Sequence, residues 1–288
     1  MTTIGEERKP APGLHFVATP IGAARDITLR ALDILATADL IAAEDTRTLR
    51  HLMEIHGVAL GDRPLLPYHD HNGDRMRPRI LAALAEGRSV AYASEAGTPL
   101  VADPGYQLGR AAIAAGHAVF SAPGPSAVLA ALTVAGLPSD RFLFAGFPPA
   151  AASARRRWLA ELATLPATLV LYESPKRIQA LLGDLVQGFG ADRRAAVCRE
   201  LTKRFEEVTR DTLGALRDGF ATRSVKGEIV VVVDRAGARA VGQDEIDAAL
   251  KEAMECHSTR DAAAQVAETL GLPRRDLYQR ALQLAGGD

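Results

Sequence analysis

The feature that most constrains the fold of this chain is a series of apolar, strand-like runs that border short loops rich in glycine and proline. The runs 14–18, 39–43 and 89–93 each end in such a loop, and segments with helical periodicity separate them. This alternation is typical of βαβ units and a largely parallel sheet. Open α/β sheets bind ligands at the carboxyl ends of their strands, so the loops predict a cleft that holds a small polar cofactor.

Length, charge and cysteine content narrow the class of protein. At 288 residues the chain suits two domains with a small appendage. The formal net charge of −1 excludes a global attraction to nucleic acid, so any such contact must come from local patches. Cys198 and Cys256 form no paired motif, which argues against a disulfide framework or a zinc ribbon. Residues 1–12 lack a signal-peptide core and the run 127–137 is too short to span a bilayer, so we expect a cytoplasmic protein.

The pattern along the chain predicts an α/β protein with two α/β domains and a helical module. In chain order we expect a disordered tail (1–12), an N-terminal α/β domain (13–121), a C-terminal α/β domain (122–235), a linker (236–243) and a helix-turn-helix-like tail (244–288). The stretch 200–212 is a candidate antiparallel strand. In the tail, Ser258 is expected to begin a capping box before a helix over 259–269, and Gly271 to turn the chain.

Three common nucleotide fingerprints are missing from the sequence. It contains no GxGxxG loop after a strand, no GxxxxGK[ST] loop, and no acidic glycine-rich loop after the first strand. The simple NAD, ATP and common Rossmann-methylase interpretations are therefore excluded. Each remaining loop is ordinary turn chemistry by itself. The order and spacing of the loops carry the functional information.

That order closely resembles the bacterial 16S ribosomal RNA cytidine-2′-O-methyltransferase family, which is built on the tetrapyrrole-methylase fold. The matching elements are Thr19-Pro20-Ile21-Gly22, Ala43-Glu44-Asp45-Thr46-Arg47, His69-Asp70-His71-Asn72, Ala96-Gly97-Thr98-Pro99, Asp103-Pro104-Gly105, Pro123-Gly124-Pro125, Gly136-Leu137-Pro138-Ser139-Asp140-Arg141-Phe142, Tyr172-Glu173-Ser174-Pro175, Arg199-Glu200-Leu201-Thr202-Lys203 and Lys226-Gly227-Glu228. The resemblance covers about residues 13–234 together with the helical tail. Glu95 and Ala23 depart from it, because the family usually has Asp and Asn there.

The resemblance implies a homodimeric enzyme that methylates the ribose of a cytidine in 16S ribosomal RNA of the small subunit. It implies S-adenosylmethionine as cofactor, in the cleft between the two α/β domains. The residues it assigns to the cofactor are Pro20, Gly22, Glu95, Ala96, Gly97, Thr98, Asp103, Pro104, Gly105, Ala127, Lys226, Gly227 and Glu228. The glycines among them would let backbone N–H and C=O groups approach the ligand closely.

The candidate catalytic bases are Asp45 and Glu44, with His69 behind them. Asp45 or Thr46 is also a good N-cap for the helix that follows, and capping does not exclude catalysis. A strand-end carboxylate beside Arg47 suits a base next to a phosphate anchor. The sequence leaves open which group acts, and whether a base is needed.

Candidate RNA contacts are local cations and one polar loop. His69 and His71 are spaced as a metal pair, but no further His or Cys cluster completes a site, so no metal is expected. The resemblance instead places His71 and Asn72, with Arg47, at the target ribose or its phosphates. The charge runs Arg155-Arg156 and Lys203-Arg204 are either solvated faces or contacts to the RNA backbone.

Two other functions stay open at this stage. A methylase of tetrapyrrole precursors would share the fold, and a noncatalytic RNA-binding protein would retain only an inactive cofactor pocket. The tail is either a helical packing module or a contact to RNA or protein. Recognition of DNA by the tail is disfavoured, because the sequence of the tail shows no strong basic face.

Overall fold

The computed structural model describes residues 9–69, 71–237, 243–270 and 272–286. The chain divides into two compact units, with the boundary between Asp234 and Arg235. Residues 1–8 of the predicted tail and 238–242 of the predicted linker lie outside the described residues, as do Asp70 and the expected turn at Gly271.

The first unit contains two five-stranded sheets. The elements of its first half are β1 (Gly13–Val17), α1 (Leu29–Thr37), β2 (Leu40–Ala43), α2 (Thr46–Ile55), β3 (Leu65–Pro67), α3 (Gly73–Ala85), β4 (Ser89–Ala93), α4 (Tyr106–Ala114) and β5 (Val119–Ala122). Those of its second half are α5 (Ala127–Ala135), β6 (Phe142–Gly146), α6 (Ala152–Leu162), β7 (Thr168–Glu173), α7 (Ile178–Phe189), β8 (Arg194–Arg199), β9 (Glu207–Thr212), α8 (Leu213–Phe220) and β10 (Ile229–Val233).

The first sheet is entirely parallel, as the alternating pattern predicts. Its strand order is β3-β2-β4-β1-β5, and every pairing is parallel. All residues of β1, β2 and β4 are buried, because helices cover both faces of the sheet. The order places the ends of β1 and β4 side by side, which brings their loops together at one edge.

The second sheet is mixed, and its antiparallel strand places a loop beside the carboxyl end of a neighbouring strand. Its order is β6-β7-β10-β8-β9, with β10 antiparallel to both β7 and β8. Ile229, the first residue of β10, therefore pairs with Glu173, the last residue of β7. The loop before β10 consequently lies beside the carboxyl end of β7. The antiparallel strand expected between 200 and 212 is β9.

The sequence pattern did not predict two short elements, β3 and α8. β3 is an edge strand that ends in Pro67, and proline is tolerated at a sheet edge because no ladder donor is needed there. α8 directly follows β9 and is capped by Thr212, whose Oγ1 accepts a hydrogen bond from the Ala215 N–H at 3.3 Å.

An apolar cluster joins the second sheet to loops that follow strands of the first. Val128 and Leu132 of α5 pack with Val170 and Val230. Ile21 and Val101, from the loops after β1 and β4, pack against the same cluster. The loops of the first sheet are thereby held against the second sheet.

The second unit is a bundle of three helices within its described residues, namely α9 (Gln243–Cys256), α10 (Thr259–Leu270) and α11 (Arg274–Ala285). Leu250, Val266 and Leu277, one from each helix, belong to its core. Ser258 caps α10 as predicted, since its Oγ accepts from the Asp261 N–H at 3.3 Å and donates to the Asp261 carboxylate at 2.7 Å. Among the described residues of the chain, no helix has the length and apolar character needed to cross a membrane.

Candidate active site

A cavity of about 370 Å³ opens where the loops of the two sheets meet. Ile21 contributes to it from the loop after β1, residues 96–98 and 101–103 from the loop after β4, and Ala127 from the start of α5. The second sheet contributes Phe147, residues 172–175 and residues 227–230. The predicted cofactor residues in the lining are Ala96, Gly97, Thr98, Asp103, Ala127, Gly227 and Glu228.

The other predicted cofactor residues lie in the same loops but outside the lining. They are Pro20, Gly22, Glu95, Pro104, Gly105 and Lys226. The structure adds several residues that the sequence reasoning did not assign to the cavity, among them the aromatic residues Phe147 and Tyr172. Tyr172 had a signal, because it begins one of the matching elements. Phe147 had none.

Hydrogen bonds fix the loop after β4 in place. Thr19 and Gly97 form a two-way backbone bridge, with N···O distances of 2.9 and 3.0 Å. The Ser94 hydroxyl donates to the Gly97 carbonyl at 2.7 Å, and the Thr98 hydroxyl donates to the Pro125 carbonyl at 2.8 Å. Gly97 has a φ of +81°, a conformation that favours glycine. These hydrogen bonds hold the backbone that lines this side of the cavity in one conformation.

The loops of the two sheets are also linked across the cavity edge. Lys203 Nζ contacts Glu200 Oε1 at 2.9 Å and Glu228 Oε2 at 2.7 Å, and the Glu228 N–H donates to Glu200 Oε1 at 3.0 Å. A Cβ at Gly22 would lie 2.5 Å from Lys203 Cγ, so the loop after β1 sits directly on this network. The network orients Glu228 in the cavity.

Asp103 lines the cavity, and its carboxyl group feels the charges of two nearby carboxylates, Glu44 and Glu95. The Glu95 N–H donates to Glu44 Oε2 at 3.3 Å. Burial first, and then the charges of Glu44 and Glu95, raise the pKa of Asp103 to about 7. Burial also raises the pKa of Tyr172 to about 12, with a contribution from the charge of Asp103. The cavity therefore contains a carboxyl group that titrates near neutrality.

Asp45 has a capping role in the structure. Its Oδ1 accepts from the backbone N–H groups of Arg47 at 2.7 Å and Thr48 at 3.3 Å, and its Oδ2 accepts from Arg47 Nη2 at 3.1 Å. The hydrogen bond from the Arg47 side chain, followed by those from the two backbone groups, lowers the pKa of Asp45. The predicted N-cap is confirmed. The same bonds weaken Asp45 as a base.

The segment with the candidate residues His69, His71 and Asn72 forms a compact turn before α3. The His69 N–H donates to Asn72 Oδ1 at 3.0 Å, and Asn72 Nδ2 donates to the Pro67 carbonyl at 3.1 Å. The rings of His69 and His71 are 5.9 Å apart. Asn72 thus holds the turn together, and neither histidine lines the cavity. Within the described residues, no group of three or more His, Cys, Asp and Glu side chains is arranged to bind a metal ion.

The predicted RNA-contacting cations fall into two groups. The Arg155 side chain is 6% exposed and its Nε contacts Asp184 Oδ2 at 2.7 Å, so its assignment to RNA is corrected to a structural ion pair. Lys203 belongs to the carboxylate network described above. Arg47 is 91% exposed and Arg156 is 49% exposed, and both remain available. Arg204 is exposed over the Phe205 ring, 5.4 Å from its centroid.

Comparison with known proteins shows the family. The profile of the tetrapyrrole (corrin/porphyrin) methylases matches residues 13–217, and that of the RsmI C-terminal HTH domain matches residues 240–285. The chain is 47% identical to the ribosomal RNA small subunit methyltransferase I of Mesorhizobium japonicum, over 98% of this chain and 96% of that protein. The chain belongs to the ribosomal RNA small subunit methyltransferase I family. Relatives of the same name in Xylella fastidiosa (48% identical, 93% of this chain and 98% of theirs) and Pseudomonas aeruginosa (42%, 95% and 98%) support the assignment.

Solved structures confirm the tetrapyrrole-methylase fold expected for this family. The cobalamin biosynthetic enzyme cobalt precorrin-4 methyltransferase aligns with a TM-score of 0.59 at 19% identity, over 77% of this chain and 94% of that one. A uroporphyrin-III C-methyltransferase from Thermus thermophilus, complexed with S-adenyl homocysteine, aligns with a TM-score of 0.54 at 17% identity, over 78% and 98%. The family membership also confirms that the chain is a methyltransferase.

Proposed function

We propose that the protein transfers a methyl group from S-adenosylmethionine to the 2′-hydroxyl group of a cytidine in 16S ribosomal RNA. The observation that carries this proposal is the cavity. It is lined by the loops whose motifs resemble the 2′-O-methyltransferases, in a chain whose near-full-length relatives are named for small-subunit ribosomal RNA. We further propose that it acts in the cytoplasm as a homodimer, as the resemblance implies.

The residues of the cavity fit S-adenosylmethionine. Its volume of about 370 Å³ lies within the usual range for small-molecule sites, about 300–1,000 Å³. Ile21, Val101 and Ala127 offer apolar surface for adenine, and the backbone at Gly97 and Gly227 offers hydrogen-bonding groups at close approach. Asp103 and Glu228 supply negative charge to a cationic ligand. When bound, S-adenosylmethionine provides an electrophilic methyl group on a sulfonium.

Alignment supplies most of the catalysis in this proposal. Holding the hydroxyl group in line with the methyl group contributes roughly 7–11 kcal/mol. The rigid bridge between Thr19 and Gly97 suits this task, because it fixes the backbone that the ligand contacts. A ribose hydroxyl is a weak nucleophile at neutral pH, so a base adds about 10²- to 10⁴-fold.

The helical unit supports an RNA substrate more strongly than its sequence indicates. Arg260, Arg274, Arg275 and Tyr278 line a cavity of about 460 Å³ in this unit. Among the described residues, none of these three arginines has a hydrogen bond or ion pair. Grouped, unpaired guanidinium groups beside an aromatic ring suit phosphates and a stacked base. The tail therefore has the basic patch that its sequence pattern did not show.

The decisive experiment is incubation with labelled S-adenosylmethionine and undermodified small ribosomal subunits, followed by nucleoside mass spectrometry. We expect 2′-O-methylcytidine, and one linkage in the RNA that resists alkaline hydrolysis because the attacking hydroxyl is blocked. A methyl group on the cytosine ring would contradict the ribose assignment. A precorrin substrate is included in competition, and its preferential methylation would favour a tetrapyrrole methylase.

A further inference from the structure

An exposed aromatic side chain lies at the rim of the candidate cofactor cavity. Phe147 lines the cavity and is 58% exposed, whereas the next residue, Pro148, is buried. A residue that contacts one nucleotide of a large RNA must face both the cavity and the solvent, because the rest of the RNA stays outside. Phe147 meets both conditions. The surface proposed above for adenine is formed by Ile21, Val101 and Ala127, which leaves the Phe147 ring for a second ligand.

The backbone before Phe147 sets the direction of its side chain. The pairing of β6 with β7 shifts register between Phe144 and Gly146, as at a β-bulge. Gly146 has a φ of +73°, in the left-handed region that favours glycine. Bulges re-aim side chains and are over-represented next to active sites. The chain therefore leaves the sheet immediately before the aromatic residue, in a conformation that depends on this glycine.

Two other aromatic rings support Phe147 from the second sheet. The Tyr172 ring lies 5.4 Å from the Phe147 ring and 4.8 Å from the Phe144 ring, with interplanar angles of 69° and 61°. Aromatic pairs at these distances and angles are favourable. Phe144 packs in turn against the apolar cluster that includes residues of α5. The three rings thus extend from this cluster to the rim of the cavity and fix the place of Phe147.

Polar contacts hold the segment after Phe147. Arg177, directly before α7, donates from Nη2 to the carbonyl oxygens of Pro148 and Pro149, the latter at 3.3 Å. The same nitrogen lies 3.2 Å from Glu173 Oε2, and the Glu173 side chain is fully buried. A buried carboxylate is costly without a partner, so the ion pair keeps the guanidinium group of Arg177 beneath this segment. Proline has a fixed φ, and anchored carbonyls on two consecutive prolines leave the segment little freedom.

Building on the ribose methylation proposed above, we propose that the Phe147 ring stacks on the base of the acceptor nucleotide, and that Arg177 is a positioning residue that holds this ring at the rim of the cavity. Proteins that recognise single-stranded RNA stack its splayed-out bases on aromatic side chains. A base stacked at the rim brings its own ribose toward the cavity and helps to align the hydroxyl group with the methyl group. Because every base has a π-face, this contact supplies affinity and alignment, and the choice of cytosine lies elsewhere.

The stacking role is tested with Phe147→Leu, which keeps an apolar side chain but removes the ring. Its matched control is Phe142→Leu, because Phe142 is 42% exposed on β6 and does not line the cavity. We expect Phe147→Leu to weaken binding of undermodified small ribosomal subunits by about 5- to 150-fold, the equivalent of one lost stack, and Phe147→Tyr to restore it. Calorimetry without RNA should give wild-type affinity for S-adenosylhomocysteine in all three variants, which also shows that they are folded.

Two results would overturn the stacking role. One is wild-type affinity for the subunits in Phe147→Leu. The other is a loss of S-adenosylhomocysteine affinity in that variant, because this would assign the ring to the cofactor. The wild-type enzyme is assayed in parallel for 2′-O-methylcytidine. If it makes none, the proposed function has failed and this inference fails with it, whereas a methylating wild type with unchanged subunit binding in Phe147→Leu contradicts the stacking role alone.

A double-mutant cycle tests the positioning role of Arg177. Arg177→Lys keeps a positive charge beside Glu173, but a flexible ammonium group cannot reproduce the planar guanidinium contacts. We expect it to lower subunit affinity by up to the same factor as Phe147→Leu, and to have no further effect in the Phe147→Leu background, because it acts through the ring. Arg217→Lys in α8 makes the same change outside the cavity and serves as control.

The cycle separates positioning from a merely structural role. Equal losses in the two backgrounds would show that Arg177 acts independently of the ring and would overturn its assignment. A fall in S-adenosylhomocysteine affinity in Arg177→Lys would do the same, since it would show that the cofactor cavity itself is disturbed. Wild-type subunit affinity in Arg177→Lys would show that the ring needs no such support.

Discussion

Gly227 shows at the residue scale how this cleft depends on single positions. Its φ is +90°, and a Cβ there would lie 2.3 Å from Glu200 Cδ. Glu200 has little freedom to move, because its Oε1 accepts hydrogen bonds from Lys203 Nζ and the Glu228 N–H. The bond from the Glu228 N–H, followed by the bond from Lys203, lowers the pKa of Glu200. A side chain at position 227 must break this arrangement.

We therefore expect Gly227→Ala to destabilise the first unit by about 1–3 kcal/mol and to weaken S-adenosylmethionine binding. Displacement of Glu200 also displaces Glu228 from the cavity. Urea unfolding and calorimetry measure the two effects. The matched control is Gly183→Ala in α7, where an added Cβ meets nothing within 4 Å and alanine is favoured by up to about 1 kcal/mol. Equal cofactor affinity in the two variants would contradict the role assigned to this loop.

At the scale of elements, the contact between α10 and α11 creates a surface that neither helix has alone. Arg260 lies at the start of α10, and Arg274 and Arg275 begin α11. Another arginine of α11, Arg280, is paired with Asp247 of α9 at 2.7 Å and ties the bundle together. The arginines of the bundle therefore divide into one structural residue and a cluster available to a phosphate ligand.

Reversal of one charge in this cluster should weaken RNA binding. We expect Arg275→Glu to lower the affinity for small-subunit RNA and to reduce the slope of log affinity against log salt by about 1 or more, since at least one phosphate contact is lost. Lys251→Glu in α9 makes the same charge change outside the cluster and serves as control. Filter binding or fluorescence anisotropy at several salt concentrations measures both. Identical slopes for the two variants would assign the cluster to another partner, such as an acidic protein.

At the scale of the whole molecule, chemistry and basic surface belong to different units. Both sheets and the candidate cofactor cavity lie in the unit that ends at Asp234, which has its own apolar cores on the faces of each sheet. The helical unit has a separate core that includes Leu250, Val266 and Leu277. Each unit contains the contacts that it needs to fold.

A chain that ends at Gly237 should therefore fold and keep its affinity for S-adenosylmethionine, while its affinity for small-subunit RNA falls. Circular dichroism, calorimetry and RNA binding check the three statements. The full-length chain with Arg275→Glu provides a comparison in which only charge is changed. Loss of cofactor binding on truncation would show that the helical unit contributes to the cleft.

The first sheet and the loops at its edge could be predicted because their signals are local. Apolar runs such as 39–43 predict strands that are buried on both faces of a parallel sheet. Glycine in the sequence predicts a tight loop at Gly97, where the observed φ is positive. Asp45 as N-cap and Ser258 as capping residue are likewise set by neighbours within three positions. The order of these motifs also identified the family, which the comparisons confirm.

Other features were decided only when distant segments packed together. The apolar run Ile229–Val233 is equally compatible with either strand direction, and its antiparallel place between β7 and β8 brings Glu228 to the cavity. Arg155 is indistinguishable from Arg156 in a charge run, and only the fold buries Arg155 against Asp184 while it leaves Arg156 half exposed. Asp103, whose Oδ2 has no hydrogen bond among the described residues, lines a cavity that no single segment forms. The sequence alone determined the periodic elements, the turns and the family, since these depend on neighbouring residues. Tertiary structure decided burial, ion pairing and the basicity of the carboxyl groups, since these depend on which charges and how much solvent the fold leaves around each group.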